Sequence, residues 1–126
     1  LDRAHDDEAA LRAEMQAAHC GALPERALPG MALAQRYRDA IMAERALAAG
    51  PSVLILGAGH AGKGRDVPAA LERIAPGIES FSIALIEVAP ERADPAAYGR
   101  GRRYDALWFT PRASIADPCA AFRTRA

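Results

Sequence analysis

Aromatic residues are scarce in this chain: one Trp, three Tyr and three Phe among 126 residues. A core must therefore be filled by Leu, Ile, Val and Met and by the abundant Ala, whose small side chain buries little apolar area. Net charge is absent as well. Sixteen basic and sixteen acidic side chains cancel, which leaves no electrostatic grip on nucleic acid or anionic lipid. The local cluster of Arg100, Arg102 and Arg103 reads as a solvated loop. No apolar run approaches the roughly 20 residues that a bilayer-spanning helix needs. The opening "LDRAHDDEAALRAEM" lacks a basic region followed by an apolar one, so it does not read as a signal peptide. It also lacks an initiator Met, and the chain is expected to be a processed form, a fragment or a domain of something larger. Cysteine is nearly absent. Cys20 and Cys119 make no C-x-x-C, which excludes a zinc site of the usual spacing. They are either two buried thiols or one long-range disulfide. There is no internal repeat, and the length suits one domain, 1–126.

What is present is a pattern of helices and short apolar runs. Residues 4–18, rich in Ala, Glu, Arg, Leu and Met, favour a helix, with His5-Asp6-Asp7-Glu8 placing acid at its start. Gly21 and Pro24 end it. Residues 31–49 predict the longest helix, with Leu33, Tyr37, Ile41 and Ala48 along one stripe and Gly50-Pro51 as the stop. Residues 53–57 form a short continuous apolar run bounded by turn signals, which suits a strand buried on both faces. Asp66 is a good N-cap for a helix through "VPAALERIA", with Pro68 in its first turn. Further strands are predicted near 81–87 and 105–109. Strands separated by helix-containing crossovers predict an α/β fold: a small, mostly parallel sheet flanked by helices.

The stretch "VLILGAGHAGKGRDVP" holds the chemistry. Gly57, Gly59 and Gly62 spell G-x-G-x-x-G, the pattern that cradles a dinucleotide pyrophosphate. That reading needs the last glycine to open a helix, so that amide N–H groups meet the phosphates. Here Lys63-Gly64-Arg65 intervenes, and helix signals begin only at Asp66. Lys63 is followed by Gly rather than Ser or Thr, which also removes the P-loop. The other reading is a loop at the carboxyl end of a strand that presents His60 to a crevice, where histidine can ligate a metal, donate to a ligand or act as a general base. A third reading is a histidine that only bonds to a loop carbonyl. The residues alone leave the last two open.

The segments "HCGALPERALPGMALAQRYRDAIMAERAL", "VLILGAGHAGKGRDVPAAL", "YDALWFTPR" and "DPC", in that order over residues 19–122, resemble the ChaN-like haem-binding (lipo)protein family of the haem-uptake, Tiki/TraB/erythromycin-esterase-like superfamily. Its helix pattern Arg-(Asp/Asn)-x-x-Met-Ala is matched by Arg38, Asp39, Met42 and Ala43. Its strand-ending Gly-x-Gly-His is matched by Gly57, Gly59 and His60. The family's Arg-Asp-x-Gly-Val-Pro is shortened here to Arg65-Asp66-Val67-Pro68. The resemblance implies that the chain corresponds to the C-terminal half of a larger superfamily domain.

What the resemblance implies for function is haem binding in iron or haem uptake. His60 is then the candidate iron ligand. Gly57 and Gly59 shape its loop, Arg65 and Arg38 are candidates for the propionates, and Met42 lines the site. His60 is expected to face a groove bordered by Arg38. Tyr37, Tyr98 and Tyr104 cannot be matched to the family's ligating tyrosine. The resemblance further implies a homodimer enclosing the cofactor, and a periplasmic or outer-membrane-associated location with any lipid anchor outside this chain. The implied oxidising compartment favours a Cys20–Cys119 disulfide. The alternative is a hydrolase like the Tiki peptidases or erythromycin esterases, with His60 on a metal or activating water, Arg38 steadying an anion and Glu44 or Asp39 as carboxylate. A fragment without catalysis is the remaining reading.

Overall fold

The structure, a computed structural model, describes residues 2–99, 103–114 and 116–120, with the backbone alone for 2–7. Three α-helices and one two-stranded parallel sheet are found among them: α1 Asp2–Ala18, α2 Leu28–Ala49, α3 Val67–Ile74, β1 Ile83–Val88 and β2 Ala106–Pro111. The fold is α/β, as the alternation of helices and apolar runs requires. The chain divides into two compact units, Leu1–Tyr37 with Ala116–Ala126, and Arg38–Ile115. Helix α2 contributes residues to each.

In the first unit Leu11 and Met15, four apart on α1, meet Leu28 and Ala32, four apart on α2. This spacing puts each pair on one helical face. The turn after α1 is tied back by Gln16, whose amide donates to the Leu23 carbonyl at 2.8 Å and accepts from the Leu23 N–H at 3.2 Å. Cys20 stands in the left-handed region at φ 58° and is bonded to Cys119, with 5.6 Å between their Cα atoms. Both cysteines are thus disulfide-bonded rather than free.

In the second unit Ala43 on α2 packs against Val67, Ala70 and Leu71 of α3. A separate cluster joins Ala84 and Ile86 of β1 to Tyr104, with Tyr98, Leu107 and Phe109 around it. The parallel register pairs Ile83 with Ala106 and Ile86 with Phe109.

One expectation for the sheet is corrected. Residues 53–57 do not form a strand. A strand needs a ladder partner. Among the described residues β1 pairs with β2, and none of residues 51–56 makes a backbone hydrogen bond. Alternation still shows in its side chains, with Leu56 half-buried and Val53 and Ile55 94% and 96% exposed. In β1 one face is covered: Ala84 and Ile86 are buried while Leu85 is 70% exposed.

Candidate functional site

The site is assembled on the loop between residue 57 and α3. The Gly57 carbonyl accepts the His60 N–H at 2.9 Å, and the His60 carbonyl accepts the Val67 N–H at 3.0 Å. The loop therefore starts with a tight turn and returns to the first residue of α3. His60 sits between these two bonds, with its side chain 23% exposed.

Its ring is held from α2. His60 Nδ1 lies 2.6 Å from Oδ1 of Asp39, and Asp39 is 3% exposed. With that carboxyl ionised, Nδ1 donates and Nε2 keeps the ring's lone pair. Burial pushes the Asp39 carboxyl up from its ordinary value, while the hydrogen bond and charge of His60 pull it back. A carboxylate on one ring nitrogen fixes the tautomer and ring orientation and raises the basicity of the other, which is the arrangement found behind metal-ligating histidines.

Asp66 is the second buried acid, 1% exposed. It stands at the N-cap position of α3, as its residue type predicts, yet its carboxylate makes no capping bond to the helix. It reaches back instead: Oδ2 accepts from the Gly62 N–H at 3.0 Å and from the Arg103 guanidinium at 2.7 Å, while Arg65 Nε lies 3.5 Å from Oδ1. Burial raises its carboxyl, and Arg103 and then Arg65 oppose that rise. A Cβ added at Gly62 would meet Asp66 Oδ2 at 2.7 Å, with the Arg103 guanidinium also in its way. Gly62 is needed for this close approach.

These contacts account for the G-x-G-x-x-G match. The Gly62 amide, which a pyrophosphate would need, is occupied by a carboxylate of the chain itself. Helix α3 starts only at Val67. The loop presents a histidine.

The segment leading into β2 closes the loop from its other side. The Arg103 carbonyl accepts the Lys63 N–H at 2.7 Å, and the Tyr104 hydroxyl donates to the Ala58 carbonyl at 3.2 Å. Asp105 receives the Lys63 ammonium and the Ser82 N–H at 2.8 Å. The Lys63 hydrogen bond, then that of Ser82, holds the Asp105 carboxyl below its ordinary value. The Ser82 hydroxyl donates to the Ala61 carbonyl.

The sequence-predicted residues are therefore only partly gathered. His60, Arg65 and the loop glycines are together. Met42 is half-buried against the Ala43, Val67, Ala70 and Leu71 cluster. Arg38 is exposed on α2, and the α2 side chain that meets His60 is its neighbour Asp39. Arg65 is engaged with Asp66. The reading of the 100–103 arginines as a solvated loop is corrected at Arg103, whose guanidinium pairs with a buried carboxylate; Arg100 and Arg102 lie outside the described residues. Arg103, Tyr104 and Asp105 were missed as site residues. The signal was Asp66 itself: an acid beside glycines and an apolar helix start needs a counter-charge if it is buried.

Beside the loop runs an apolar groove of about 910 Å³, lined among others by Leu47, Leu54, Leu56, Ala61, Phe81 and Ile83. Ala61 is the residue after His60. Among the described residues no cluster of three or more His, Cys, Asp or Glu could hold a metal ion, and no helix is long and apolar enough to cross a membrane.

Comparison with known proteins gives one match. The family model described as haem-binding uptake, Tiki superfamily, ChaN matches residues 2–71, more than half of the chain and the part that contains Asp39, His60 and Asp66. No curated protein and no solved structure matches. With a helix carboxylate set behind a loop histidine, and that match over both, the chain belongs to the haem-binding uptake, Tiki superfamily, ChaN family.

Proposed function

We propose that this chain binds haem through His60, as part of haem or iron uptake. The observation that carries the proposal is the 2.6 Å contact of His60 Nδ1 with the buried Asp39 carboxylate. It orients the ring and leaves the Nε2 lone pair for iron, and His is an established haem ligand. The other residues fit the group as well. The groove that reaches Ala61 supplies aliphatic side chains and Phe81 for a porphyrin face. Arg38, exposed on α2, supplies a cation for a propionate. Haem when bound supplies the iron; the chain supplies a nitrogen donor, apolar contact and charge. The same reading extends to a homodimer, in which a second copy covers exposed apolar side chains such as Leu85 and Trp108. It extends to an exported, periplasmic or outer-membrane-associated protein, for which the Cys20–Cys119 disulfide is support.

Titration with haemin, followed at the Soret band, tests this. His60→Ala is expected to weaken binding and shift the band, and Asp39→Asn to weaken it by about 10–100-fold, the usual effect of losing the partner behind a ligating histidine. Wild-type affinity and spectrum in both variants would remove His60 from the site. Sedimentation of the haemin-loaded protein tests the dimer, and a monomer at saturation would reject it.

A further inference from the structure

Four glycines fall within eight residues of the His60 loop, at 57, 59, 62 and 64. Such a backbone loses much conformational freedom when it orders. The Asp39 bond fixes the ring, but it is a single tether on a loop of this kind.

We propose that Arg103-Tyr104-Asp105 is a positioning clamp that sets the backbone of the His60 loop, so that the ring and its Asp39 partner meet in one geometry. The three residues engage the loop on both sides of His60. Ahead of it, the Tyr104 hydroxyl holds the Ala58 carbonyl at 3.2 Å. Behind it, the Arg103 carbonyl takes the Lys63 N–H at 2.7 Å, the Arg103 guanidinium takes Asp66 at 2.7 Å and Asp105 takes the Lys63 ammonium. Asp66 connects the clamp to the histidine. Its carboxylate holds the Gly62 N–H, and the next residue, Val67, donates to the His60 carbonyl. A shift of Asp66 therefore reaches His60 by two routes, along the chain through Gly62 and across the loop through the Val67 N–H. Arg103 is the main counter-charge of a carboxylate that is 1% exposed. Without it the carboxylate is left buried with Arg65 alone opposite it, which favours opening of the loop or uptake of a proton and weakens the Gly62 tether either way. The three residues lie beyond the 2–71 stretch that the family model matches, so the clamp belongs to the later part of the chain. Its consequence for ligand binding rests on the haem reading of His60; its consequence for loop order does not.

The experiment combines amide hydrogen exchange on the ¹⁵N-labelled protein with haemin titration, for Arg103→Met, Arg103→Lys, Tyr104→Phe and His60→Ala. Arg103→Met is expected to speed exchange at Gly62 and Val67 by about tenfold or more, while α2 amides near Ala43 keep their rates. Haemin affinity falls several-fold in the same variant, with a changed Soret band, and Arg103→Lys recovers part of both. His60→Ala weakens haemin binding but leaves the loop amides protected. Unchanged exchange at Gly62 and Val67 in Arg103→Met overturns the clamp, whatever haemin does. Faster exchange with wild-type haemin binding, in a protein where His60→Ala does weaken it, overturns the positioning role. If His60→Ala binds as wild type, the haem reading fails and the exchange data alone judge the clamp. Should Arg103→Met not fold, Tyr104→Phe removes one hydroxyl and carries the comparison: faster exchange across 58–62 supports the clamp, and unchanged exchange rejects it.

Discussion

The two units of the chain are held together by different means. The unit of residues 1–37 and 116–126 has a core of Leu11, Met15, Leu28 and Ala32 and a covalent bond between its two stretches. The unit of residues 38–115 has no covalent tie. It relies on two small apolar clusters and on a polar network in which two buried aspartates face a histidine and arginines. A disulfide tolerates an underfilled core because it acts largely on the unfolded chain. A buried ionic network confers less net stability than its contacts suggest, since desolvation offsets attraction, but it fixes where side chains stand. The first unit is built to persist and the second to place His60.

The largest effect that tests this contrast is loss of the disulfide. Its cysteines are 99 positions apart, and a loop of that length corresponds to about 4–5 kcal/mol in the chain-entropy treatment. Cys20→Ser with Cys119→Ser is expected to lower the unfolding free energy by that order in urea. The closed loop contains the whole second unit. If that unit stays folded while the first opens, the effective loop is far shorter and the loss falls. A loss below about 2 kcal/mol, with two transitions in the urea curve, would show that the units melt separately.

Next in size is truncation in the first core. Leu11 is 2% exposed, and Leu11→Ala is expected to cost about 2–5 kcal/mol. With so few large side chains around it, the cavity has little chance to refill. A cost under about 1 kcal/mol in the oxidised protein would mean that the disulfide alone holds this unit.

A smaller effect comes from pH. Burial raises the Asp39 carboxyl above its unfolded value. Just above the ordinary aspartate range the folded chain thus keeps a proton that the unfolded chain has lost, and the unfolding free energy falls as pH rises through that window. Asp39→Asn removes the term. The wild-type stability minus that of the variant is expected to decline from about pH 4 upward, as read by urea denaturation at several pH values. A difference that instead grows with pH would mean that the His60 pair outweighs burial and holds Asp39 below its ordinary value. Asp105 acts in the opposite sense. Its lowered carboxyl contributes stability present above the unfolded pKa, which is lost as pH falls through the folded one.

Local signals in the sequence were legible where local physics decides. Proline, glycine and acid placement bounded α1, α2 and α3 to within a few residues, and the apolar runs at 81–87 and 105–109 located β1 and β2. The motif carrying Asp39 and His60 is visible through family resemblance, but the sequence places Arg38 at the border of the histidine's groove, one position from the residue that meets the ring. Helical periodicity at single-residue resolution would have been needed to separate them. What composition could not carry is pairing at a distance. Asp66 reads as a helix cap until Arg103 is placed next to it. The run at 53–57 reads as a buried strand until its backbone is seen to lack a partner.

The smallest expected effect lies in that run, and it sharpens the contrast within the second unit. Val53 and Ile55 are almost fully exposed, and the backbone of 51–56 makes no hydrogen bond among the described residues. Ile55 therefore contributes almost no burial to stability. Ile55→Thr keeps the β-branch and the shape while removing apolar surface, and its cost is expected to stay within about 0.5 kcal/mol. Leu56→Thr, one residue on, replaces a side chain that packs against the Ala43–Leu71 cluster and is expected to cost at least about 1 kcal/mol more than its neighbour. Urea denaturation of the pair measures the difference directly. Equal and large costs would show that Ile55 is covered in solution by something that binds this edge. In that case the Ile55→Thr protein would also lose the concentration dependence of its unfolding midpoint, because association stabilises by mass action.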